Sequence, residues 1–480
     1  MNGVDPETLA RAALTFCLDG ADALMFATIK GAGSAQKVLQ LVIDSRPHAP
    51  APMASLTRRE LDDVFARGIT RWGRRITRRG MEAFHVSLDG WHRRLNLLPT
   101  LDIASLAGWF TEDGAQWIIA PHSPFWPAQL ADLSIRKDWA APLCLWGLGD
   151  PAALVSCPQP VAVVGSRGAN DYGRSVARSI GEQAAGGGHL VVSGGAMGAD
   201  AAAHWGALSA VSSGYDPAAV GRTVAVFAGG LNHIGPHCNR MLFERITAGG
   251  GALISELCPD TIPEGRRFLL RNRIIAAMAS TVVVTQARLR SGALNTANWA
   301  AELGREIYAV PGSIDEPDHA GCNRIIHDHQ AILLTSATAI DDICHAPHAP
   351  VTPADPAAPA GGNASGPATS RREEAPESSA ATPETPAATG TTTAPRDALT
   401  ADQRRIHTAI RRCRRLRIAP TAEAIAAHLD GGSDGTDHSA APDAGDPMLA
   451  KVITLLGEME LDGLVTISGG VAAIARPGGT

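Results

Sequence analysis

Two stretches of sequence decide the fold: VAVVGSRGANDYGRS at residues 161–175 and HLVVSGGAMGADAAAH at residues 189–204. In each, a short apolar run rich in valine stops at a Gly/Ser turn, and a segment that favours a helix follows. A buried parallel strand that ends in this way presents backbone N–H groups to an anion at the start of the helix. Both stretches therefore predict an anion-binding loop between a strand and a helix.

The same alternation continues to residue 344. Seven apolar runs have room for a crossover helix between most neighbours, and they lie at residues 161–164, 190–192, 224–227, 252–254, 282–284, 307–310 and 332–334. Continuous apolar strands are typical of a parallel sheet that is covered on both faces. We therefore predict an α/β fold, an extended Rossmann-like doubly wound sheet that binds ligands at the carboxyl ends of its strands.

The N-terminal part of the chain has a different composition. Residues 1–115 are rich in Ala, Leu and Arg and predict a helical N-terminal region. The arginines from Arg58 to Arg94 favour a solvated helix face, with contact to a phosphate backbone as the alternative. The Rossmann-like domain is predicted at residues 116–344, and its aromatic and proline-rich segment at 122–150 predicts an irregular strap packed on the sheet.

The C-terminal part divides into a linker and a small domain. Residues 345–398 consist mainly of Ala, Pro, Thr, Ser and Gly and predict a disordered linker, because few large apolar side chains offset the entropy of ordering. Residues 399–480 predict a winged-helix domain of three helices and a two-stranded wing. Its third helix, residues 448–465, carries Lys451 as its only cation against three acidic residues, which disfavours specific reading of a duplex.

Composition limits the function classes. At 480 residues the chain predicts two to four domains, and its formal charge of -6 excludes a wholly basic coat. Nucleic-acid binding would therefore depend on local arginine clusters. The eight cysteines form no CxxC pair, which argues against a metal site and a disulfide framework. The sequence contains neither a membrane-length apolar stretch nor a signal-peptide pattern, so we expect a cytoplasmic protein without membrane contact or cofactor.

The candidate phosphate contacts follow three of the strands. After the first strand, glycine permits a tight turn, serine and backbone N–H groups can hold a phosphate oxygen, and arginine adds a bidentate contact. The candidates in these three loops are Gly165, Ser166 and Arg167, then Ser193, Gly194, Gly195 and Gly198, and finally Ser291, Gly292 and Thr296.

Two further groups of polar residues leave alternatives open. Arg271, Asn272 and Arg273 either contact phosphates or bases, or tie their helix to neighbouring loops. Asp200 and His204 are four residues apart and share a helix face, which permits an acid/base pair. We favour the other interpretation, in which Asp200 holds the helix N-terminus and His204 is a hydrogen-bonded core residue.

The chain resembles the DNA-processing protein A family, DprA or Smf, through eight short motifs within residues 118–344. In order, these are GSR, SGGAMGADAAAH, AGGLNHIGPHCNR, ALISE, RNRII, SGALNTA, AVPGS and GCNRII. The resemblance implies a homodimer that binds single-stranded DNA and helps to load RecA recombinase onto strands taken up in natural transformation. It adds His237 and Asn239 to the candidate DNA contacts and makes Arg167 and residues 271–273 the main ones.

The chain departs from the family pattern at two places. Gly235-Pro236-His237 stands where the family usually has Tyr-Pro and often a nearby lysine, which puts one stacking or phosphate contact in question. The second loop has Gly195 and Met197 where the family commonly has leucine and a variable, sometimes basic, residue. Neither departure removes Arg167.

Two other functions are compatible with parts of the sequence. Related Rossmann-like nucleotide phosphoribohydrolases carry the signature PGGxGTxxE, whose catalytic glutamate falls on Trp299 here. Hydrolysis by that mechanism would lack its general base or charge stabiliser, so we predict a binding protein without catalytic residues. A transcription regulator would instead read duplex DNA with the winged helix and sense a nucleotide in the α/β domain.

Overall fold

The structure is a computed structural model. The residues that it describes fall into two groups, an almost continuous one and a sparse one. The first comprises residues 4–18, 20–47, 50–135, 140–341, 343–344 and 348–351. The second comprises residues 406, 409–410, 413, 420–429, 452, 456, 465–468 and 471–474. Almost all of the predicted linker lies outside the described residues. The chain divides into two compact units, Met1–Asn363 and Ala364–Thr480.

A nine-stranded sheet organises the first unit. Its strands in chain order are β1 (Trp117–Ile119), β2 (Leu145–Gly149), β3 (Val161–Val164), β4 (Val191–Gly194), β5 (Thr223–Val226), β6 (Ala252–Ser255), β7 (Thr281–Val284), β8 (Glu306–Ala309) and β9 (Ile332–Leu333). The spatial order is β1-β2-β6-β5-β4-β3-β7-β8-β9. Strands β3 to β9 are parallel, whereas β2 is antiparallel to both β1 and β6.

The order of the strands creates a switch point between β3 and β7. From β3 the chain moves outward through β4, β5 and β6, and it then returns to place β7 on the other side of β3. Val161 pairs with Val191 on one side and with Thr281 on the other. Loops that leave neighbouring strands in opposite directions open a crevice, which is where open α/β sheets bind ligands.

Helices cover the sheet and form the N-terminal region. They are α1 (Pro6–Phe16), α2 (Ala23–Ala32), α3 (Ala35–Asp44), α4 (Ala51–Arg71), α5 (Arg78–Leu95), α6 (Ala107–Thr111), α7 (Asp171–Gly186), α8 (Ala199–Ser209), α9 (Arg240–Ala248), α10 (Gly265–Met278), α11 (Gly292–Glu302) and α12 (Ala320–His327). Several begin at a side chain that accepts a backbone N–H of the first turn, such as Asp22 before α2 and Asn170 before α7. In the described part of the chain, no helix is long and apolar enough to cross a membrane.

The sheet is covered on both faces because successive side chains of a strand point to opposite sides. In β3, Val161 and Val163 belong to the hydrophobic cluster that includes Ile180 of α7, and Val164 belongs to the cluster that includes Ile275 of α10. The predicted α/β fold with a Rossmann-like sheet is therefore confirmed, as a mixed sheet rather than a wholly parallel one.

The strap before the sheet is more regular than the sequence predicts. β2 lies within residues 122–150 and pairs along β6, with Trp146 opposite Ser255 and Gly149 opposite Ala252. The prediction of a wholly irregular strap is therefore wrong. The pairing was not visible in the sequence because β2 and β6 are about a hundred residues apart and β2 contains two glycines.

The N-terminal helices share a hydrophobic core with one side of the sheet. Leu14 of α1 and Phe65 of α4 belong to the same buried cluster as Trp146 and Phe227. The Trp146 indole N–H also donates a hydrogen bond of 2.9 Å to the Phe110 carbonyl at the end of this helical region. The helical N-terminal region is thus packed directly onto the α/β part, and a domain boundary at residues 115/116 stays a prediction.

The second unit contains helix α13 (Ala422–Leu429) and a hairpin of β10 (Val465–Ser468) and β11 (Val471–Ile474). Ile410, Ile425 and Val452 contribute to its hydrophobic cluster. A two-stranded hairpin is compatible with the predicted wing. Most of the predicted third helix lies outside the described residues, so the winged-helix domain stays a prediction.

Helices α2 and α4 cross at two glycines. A Cβ atom on Gly31 would lie 1.9 Å from the Val64 carbonyl oxygen, and one on Gly68 would lie 1.8 Å from the Ala27 carbonyl oxygen. Real atoms cannot approach so closely, so even one methyl group at either position forces the helices apart. The N-terminal helical region depends on this contact for its packing.

We expect Gly68→Ala to lower the free energy of unfolding by about 1–3 kcal/mol, the usual cost of overpacking. Gly90→Ala in α5 is the matched control, because its Cβ would meet nothing nearer than Arg93 Nη2 at 3.9 Å. The control change should be neutral or raise the stability by ~0.5–1 kcal/mol through helix propensity. Denaturant titration followed by circular dichroism measures both, and equal effects would contradict the proposed crossing.

Candidate nucleic-acid interface

A cleft of about 540 Å³ opens at the switch point of the sheet. Its walls are the loop after β3, the first half of α10 and the segment that leads into α11. A second, more apolar pocket of about 260 Å³ adjoins it. Both are lined by Arg167, Ala196, Phe268 and Arg271, so these four residues form the partition between them. The topology thus places the predicted loops around one continuous depression.

The loop after β3 is held in place by the strand beside it. The Ser166 backbone N–H donates a 2.8 Å hydrogen bond to the Gln286 carbonyl, and the Ser166 hydroxyl accepts one from the Gly168 N–H at 3.2 Å. Gly165 is required by close packing, because a Cβ there would lie 2.6 Å from the Ala199 Cβ and 2.7 Å from the Thr285 hydroxyl. The predicted residues Gly165, Ser166 and Arg167 all line the cleft.

Arg167 is exposed and lies between the two pockets. Its guanidinium carbon stands 4.6 Å from the centroid of the Phe268 ring, a cation–π contact. This contact holds the charged group over the depression and leaves its N–H groups open to a ligand. A phosphate in the cleft or a base in the apolar pocket would meet the same side chain.

The second predicted loop, which follows β4, mainly supports the walls of the cleft and contributes few residues to its surface. Ser193 is fully buried at the end of β4, where its hydroxyl donates a 2.6 Å hydrogen bond to the Val163 carbonyl. Gly194 is also buried within β4. The predicted DNA contacts of Ser193 and Gly194 are therefore wrong. Gly195 lines the apolar pocket, and Gly198 has a φ of 79°, which lets the backbone pass close to the Ser166 and Arg167 carbonyls.

Asp200 and Arg271 form the buried floor of the cleft. A Cβ on Gly194 would lie 2.2 Å from Arg271 Nη1 and 2.5 Å from Asp200 Oδ2, so the two side chains converge on this glycine. Burial raises the pKa of Asp200 to about 6, although Arg271 and the backbone N–H groups of Ala196 and Gly165 oppose the rise. Burial likewise lowers the pKa of Arg271 to about 10. Arg271 remains a cation at neutral pH and donates a 2.6 Å hydrogen bond to the Val226 carbonyl.

His204 belongs to the core rather than to a catalytic pair. It is fully buried, with Nδ1 2.7 Å from the Thr223 hydroxyl and Nε2 3.1 Å from the Gly194 carbonyl oxygen. Burial lowers the pKa of His204 to about 4, so the ring is neutral at physiological pH. The structure therefore supports the interpretation of His204 as a hydrogen-bonded core residue. Asp200 lies in the first turn of α8, but its carboxylate accepts the backbone N–H groups of Ala196 and Gly165, so the prediction that it holds the start of this helix is not confirmed.

The third predicted group surrounds the start of α11. Ser291 caps this helix by accepting the Ala293 N–H at 3.3 Å, and the Asn272 side-chain amide donates to the Gly292 carbonyl at 3.1 Å and to the Asn295 side chain at 3.2 Å. Asn272, Ser291 and Gly292 line the cleft, as does the largely buried Thr296. The positive end of a helix dipole thus adds to the anion-binding character of this wall.

Arg273 has a structural role. Its side chain is completely buried, and its guanidinium donates two hydrogen bonds to the Glu256 carboxylate at 2.9 and 2.6 Å and one to the Ala140 carbonyl at 3.2 Å. The predicted phosphate contact of Arg273 is therefore wrong, and the alternative use of this residue, tying α10 to neighbouring segments, is the one observed. Removing either member of such a buried pair leaves an uncompensated charge.

The two candidates from the third motif also differ from expectation. Asn239 is buried, and its amide donates to the Gly195 and Ala196 carbonyls, both at 3.1 Å. The predicted DNA contact of Asn239 is wrong, because the residue instead shapes the second loop. His237 is exposed and does not line either pocket, whereas the nearby His233 and Pro236 line the apolar one.

Two arginines and one aromatic residue that line the cleft escaped the sequence analysis. Arg288 and Arg290 are exposed and line the cleft, and Phe268 lies in the partition beneath Arg167. The Arg288 Nε donates to the Asp318 carboxylate at 2.5 Å, while Arg290 has no hydrogen-bond or ion-pair partner among the described residues. The signal was present, because both arginines follow β7 and immediately precede the predicted Ser291 loop.

Comparison with known proteins identifies the family. The model of the family described as DNA recombination-mediator protein A matches residues 117–346. A putative DNA processing protein DprA from Mycobacterium tuberculosis is 41% identical over 232 residues, which cover 47% of this chain and 56% of that relative. DNA processing protein DprA from Streptococcus pneumoniae is 38% identical over 206 residues, 43% of this chain and 67% of that relative.

The similarity to the Mycobacterium tuberculosis relative spans little more than half of that protein's length. Among solved structures, DNA processing protein A from Helicobacter pylori, described by its single-stranded DNA binding mode, is 26% identical with a TM-score of 0.40. That comparison covers 47% of this chain and 94% of the Helicobacter pylori chain. By its family match and its pneumococcal relative, this chain belongs to the DNA-processing protein A family, DprA or Smf.

Proposed function

We propose that this protein binds single-stranded DNA in the cleft at the switch point and acts as a recombination mediator. The observation that carries the proposal is the convergence of four arginines on one cleft: Arg167, Arg271, Arg288 and Arg290. Two acids oppose them: the buried Asp200, which lines the cleft, and Asp318, which pairs with Arg288. A polyanion is the ligand that such a cleft favours, even though the chain as a whole carries a net charge of -6.

The adjoining apolar pocket favours a single strand over a duplex. Its lining includes Met197, Phe227, Pro236 and Phe268, and Met197 is 48% exposed. Unpaired bases can leave their stack and pack on aromatic and apolar side chains, whereas paired bases cannot reach such a pocket. A strand whose phosphates lie in the cleft can therefore place a base beside Phe268.

Two rival functions are less well supported. Trp299 occupies the position of the catalytic glutamate of the phosphoribohydrolases, and an indole cannot act as a general base. The Trp299 side chain is also buried and does not line the cleft. A transcription regulator would depend on the second unit, for which the acidic character of the predicted third helix disfavours specific duplex reading. Incubation with nucleoside monophosphates and detection of released base tests the first rival.

The proposal includes the assembly and partners that the family resemblance implies. The protein would act as a homodimer in the cytoplasm and load RecA recombinase onto the bound strand, as in natural transformation. Light scattering tests the dimer, and RecA-catalysed strand exchange on coated single strands tests the loading step. Failure of either leaves the DNA-binding part of the proposal standing.

We expect the affinity for an oligothymidylate to fall steeply as salt rises, because each neutralised phosphate releases counterions. Three to four phosphate contacts predict a slope of log K against log salt of about -2 to -3 for a single strand. Fluorescence anisotropy over a range of sodium chloride concentrations measures the slope. An affinity that does not change between low and moderate salt would contradict phosphate binding.

We expect Arg167→Ala to weaken the free energy of single-strand binding by ~1.5–3 kcal/mol, which is the contribution of one preorganised charge-assisted hydrogen bond. Arg178→Ala is the matched control, since Arg178 is an exposed arginine of α7 that lies outside both pockets. Anisotropy titrations at one salt concentration compare the two variants. Equal losses would show that the cleft is not the binding site.

We expect single-strand affinity to rise as the pH falls through about 6. Asp200 has a pKa of about 6 in the folded protein, so it is mostly ionised at neutral pH and becomes neutral as the pH drops below that value. The neutral form leaves the charge of Arg271 uncompensated, which makes the cleft more positive. Asp200→Asn should abolish this part of the pH dependence; an unchanged pH profile in the variant would assign it to other groups.

A further inference from the structure

A second concentration of positive charge lies far from the cleft along the sequence. Residues 67–79, RGITRWGRRITRR, contain six arginines and no acidic residue, in a chain whose net charge is -6. They span the last turns of α4, the connection and the first turn of α5. We call these six residues and the neighbouring Lys30 the arginine patch, which comprises Lys30, Arg67, Arg71, Arg74, Arg75, Arg78 and Arg79.

Two members of the arginine patch, Arg71 and Arg74, have side-chain partners that fix its geometry. Arg71 donates from Nη1 to the Lys30 and Gly31 carbonyls, both at 3.0 Å, and so ties the end of α4 to the end of α2. The Arg74 guanidinium carbon lies 3.7 Å from the centroid of a Trp72 ring. The Trp72 indole N–H in turn donates a 2.7 Å hydrogen bond to the Ser134 carbonyl. The patch is therefore anchored to the body of the first unit.

Three of the other cations make no polar contact with the rest of the described protein. Within the part of the chain that the structure describes, Arg67, Arg75 and Arg79 have neither a salt bridge nor a side-chain hydrogen bond, and all three are exposed. One acid compensates a member of the patch, since Glu82 pairs with Arg78 at 3.1 Å. Other nearby acids are engaged elsewhere, because Glu60 pairs with Lys37 at 2.9 Å and Asp62 lies 2.8 Å from His85 Nε2. Asp63 is exposed and forms no ion pair with the patch among the described residues. The charge of the patch is thus largely uncompensated.

Helix stability does not explain this arrangement. Cations near the end of a helix, such as Arg71 in α4, interact favourably with the helix dipole. Arg78 and Arg79 stand instead in the first turn of α5, where the dipole disfavours positive charge. Positive charge at the start of a helix lowers the stability of that helix, and a helix face that only contacts water does not require it. An external anion as the partner of these arginines is therefore favoured.

The patch lies within reach of the cleft. Leu269 lines the cleft, and a Cβ on Gly20 would lie 2.6 Å from the side chain of the next residue, Leu270. Helix α2 starts three residues after Gly20 and ends beside Arg71, and its ten residues span about 15 Å. One short helix therefore connects the rim of the cleft to the patch.

We propose that the arginine patch is a second DNA-binding surface, which holds the phosphate backbone of a single strand beyond the segment bound in the cleft. The proposal rests on the proposed function of the cleft and adds a role for the N-terminal helical region. The patch contributes charge without a pocket for bases, so it binds without regard to sequence. Its contribution appears only with strands long enough to reach it.

The test uses the full chain with two oligothymidylates, of about 8 and about 30 nucleotides, within and beyond the reach of a single small binding site. The patch variant combines Arg67→Glu, Arg75→Glu and Arg79→Glu. The matched control combines Arg93→Glu, Arg178→Glu and Arg245→Glu, which change the net charge equally at exposed positions outside both pockets. Circular dichroism melting checks that each variant folds. If charge reversal prevents folding of the patch variant, a variant with Arg→Gln at the same three positions takes its place.

We expect the patch variant to lose at least tenfold in affinity for the long strand and to bind the short strand as the unmodified protein does. Its salt slope with the long strand should become shallower by about 2, because three phosphate contacts are lost. An unchanged affinity for the long strand, an equal loss with both strands, or an equal loss in the control would each overturn the proposal.

The outcome for the cleft is separable from the outcome for the patch. Arg167→Ala should weaken binding of both strand lengths; if it weakens neither, the proposed function of the cleft fails whatever the patch variant does. Anionic lipid is the other polyanion that such a patch can meet. Binding to phosphatidylserine vesicles that is lost in the patch variant, with unchanged affinity for the long strand, would assign the surface to membranes and overturn the proposal.

Discussion

The cleft depends on one buried amide. Gln286 follows β7 and is fully buried, and its side-chain oxygen accepts the Asn170 N–H at 2.9 Å while its carbonyl accepts the Ser166 N–H at 2.8 Å. Strands β3 and β7 pair side by side, but their loops leave in opposite directions, so strand pairing alone cannot hold the two loops together. Gln286 supplies the missing bonds. Gly173 leaves room for it, because a Cβ there would lie 2.6 Å from the Gln286 amide oxygen.

The arginines at and near the cleft fall into two groups, one buried and one exposed. Arg271 and Arg273 are almost wholly enclosed and face Asp200 and Glu256, whereas Arg167 and Arg290 are exposed at the rim. The enclosed arginines fix the positions of α10 and the floor, since a buried guanidinium must be compensated and hydrogen-bonded. The exposed ones are free to exchange water for a ligand. A positive cleft in an acidic protein is built from both.

The sequence predicted the sheet well and the individual contacts less well. Seven apolar runs marked seven strands to within two residues at each end, because buried parallel strands need continuous β-branched or aliphatic side chains. The loops of Gly165 and Ser291 could be placed together because the carboxyl ends of parallel strands share one edge. Nothing local distinguishes Arg273 from Arg271, however. Their roles are set by Glu256 and Asp200, which reach α10 only in the folded chain.

The two edges of the nine-stranded sheet have a consequence for self-association. One edge is β1, of three residues, and the other is β9, of only two, although Ile332 and Leu333 of β9 are 53% and 44% exposed. A long, flat, apolar edge strand would be a template for pairing with another chain and hence for aggregation. Here the two edge strands are the shortest of the nine, so each edge offers few unpaired backbone groups to another chain. A wide open sheet can thus avoid edge-to-edge aggregation in a crowded cell without closing into a barrel.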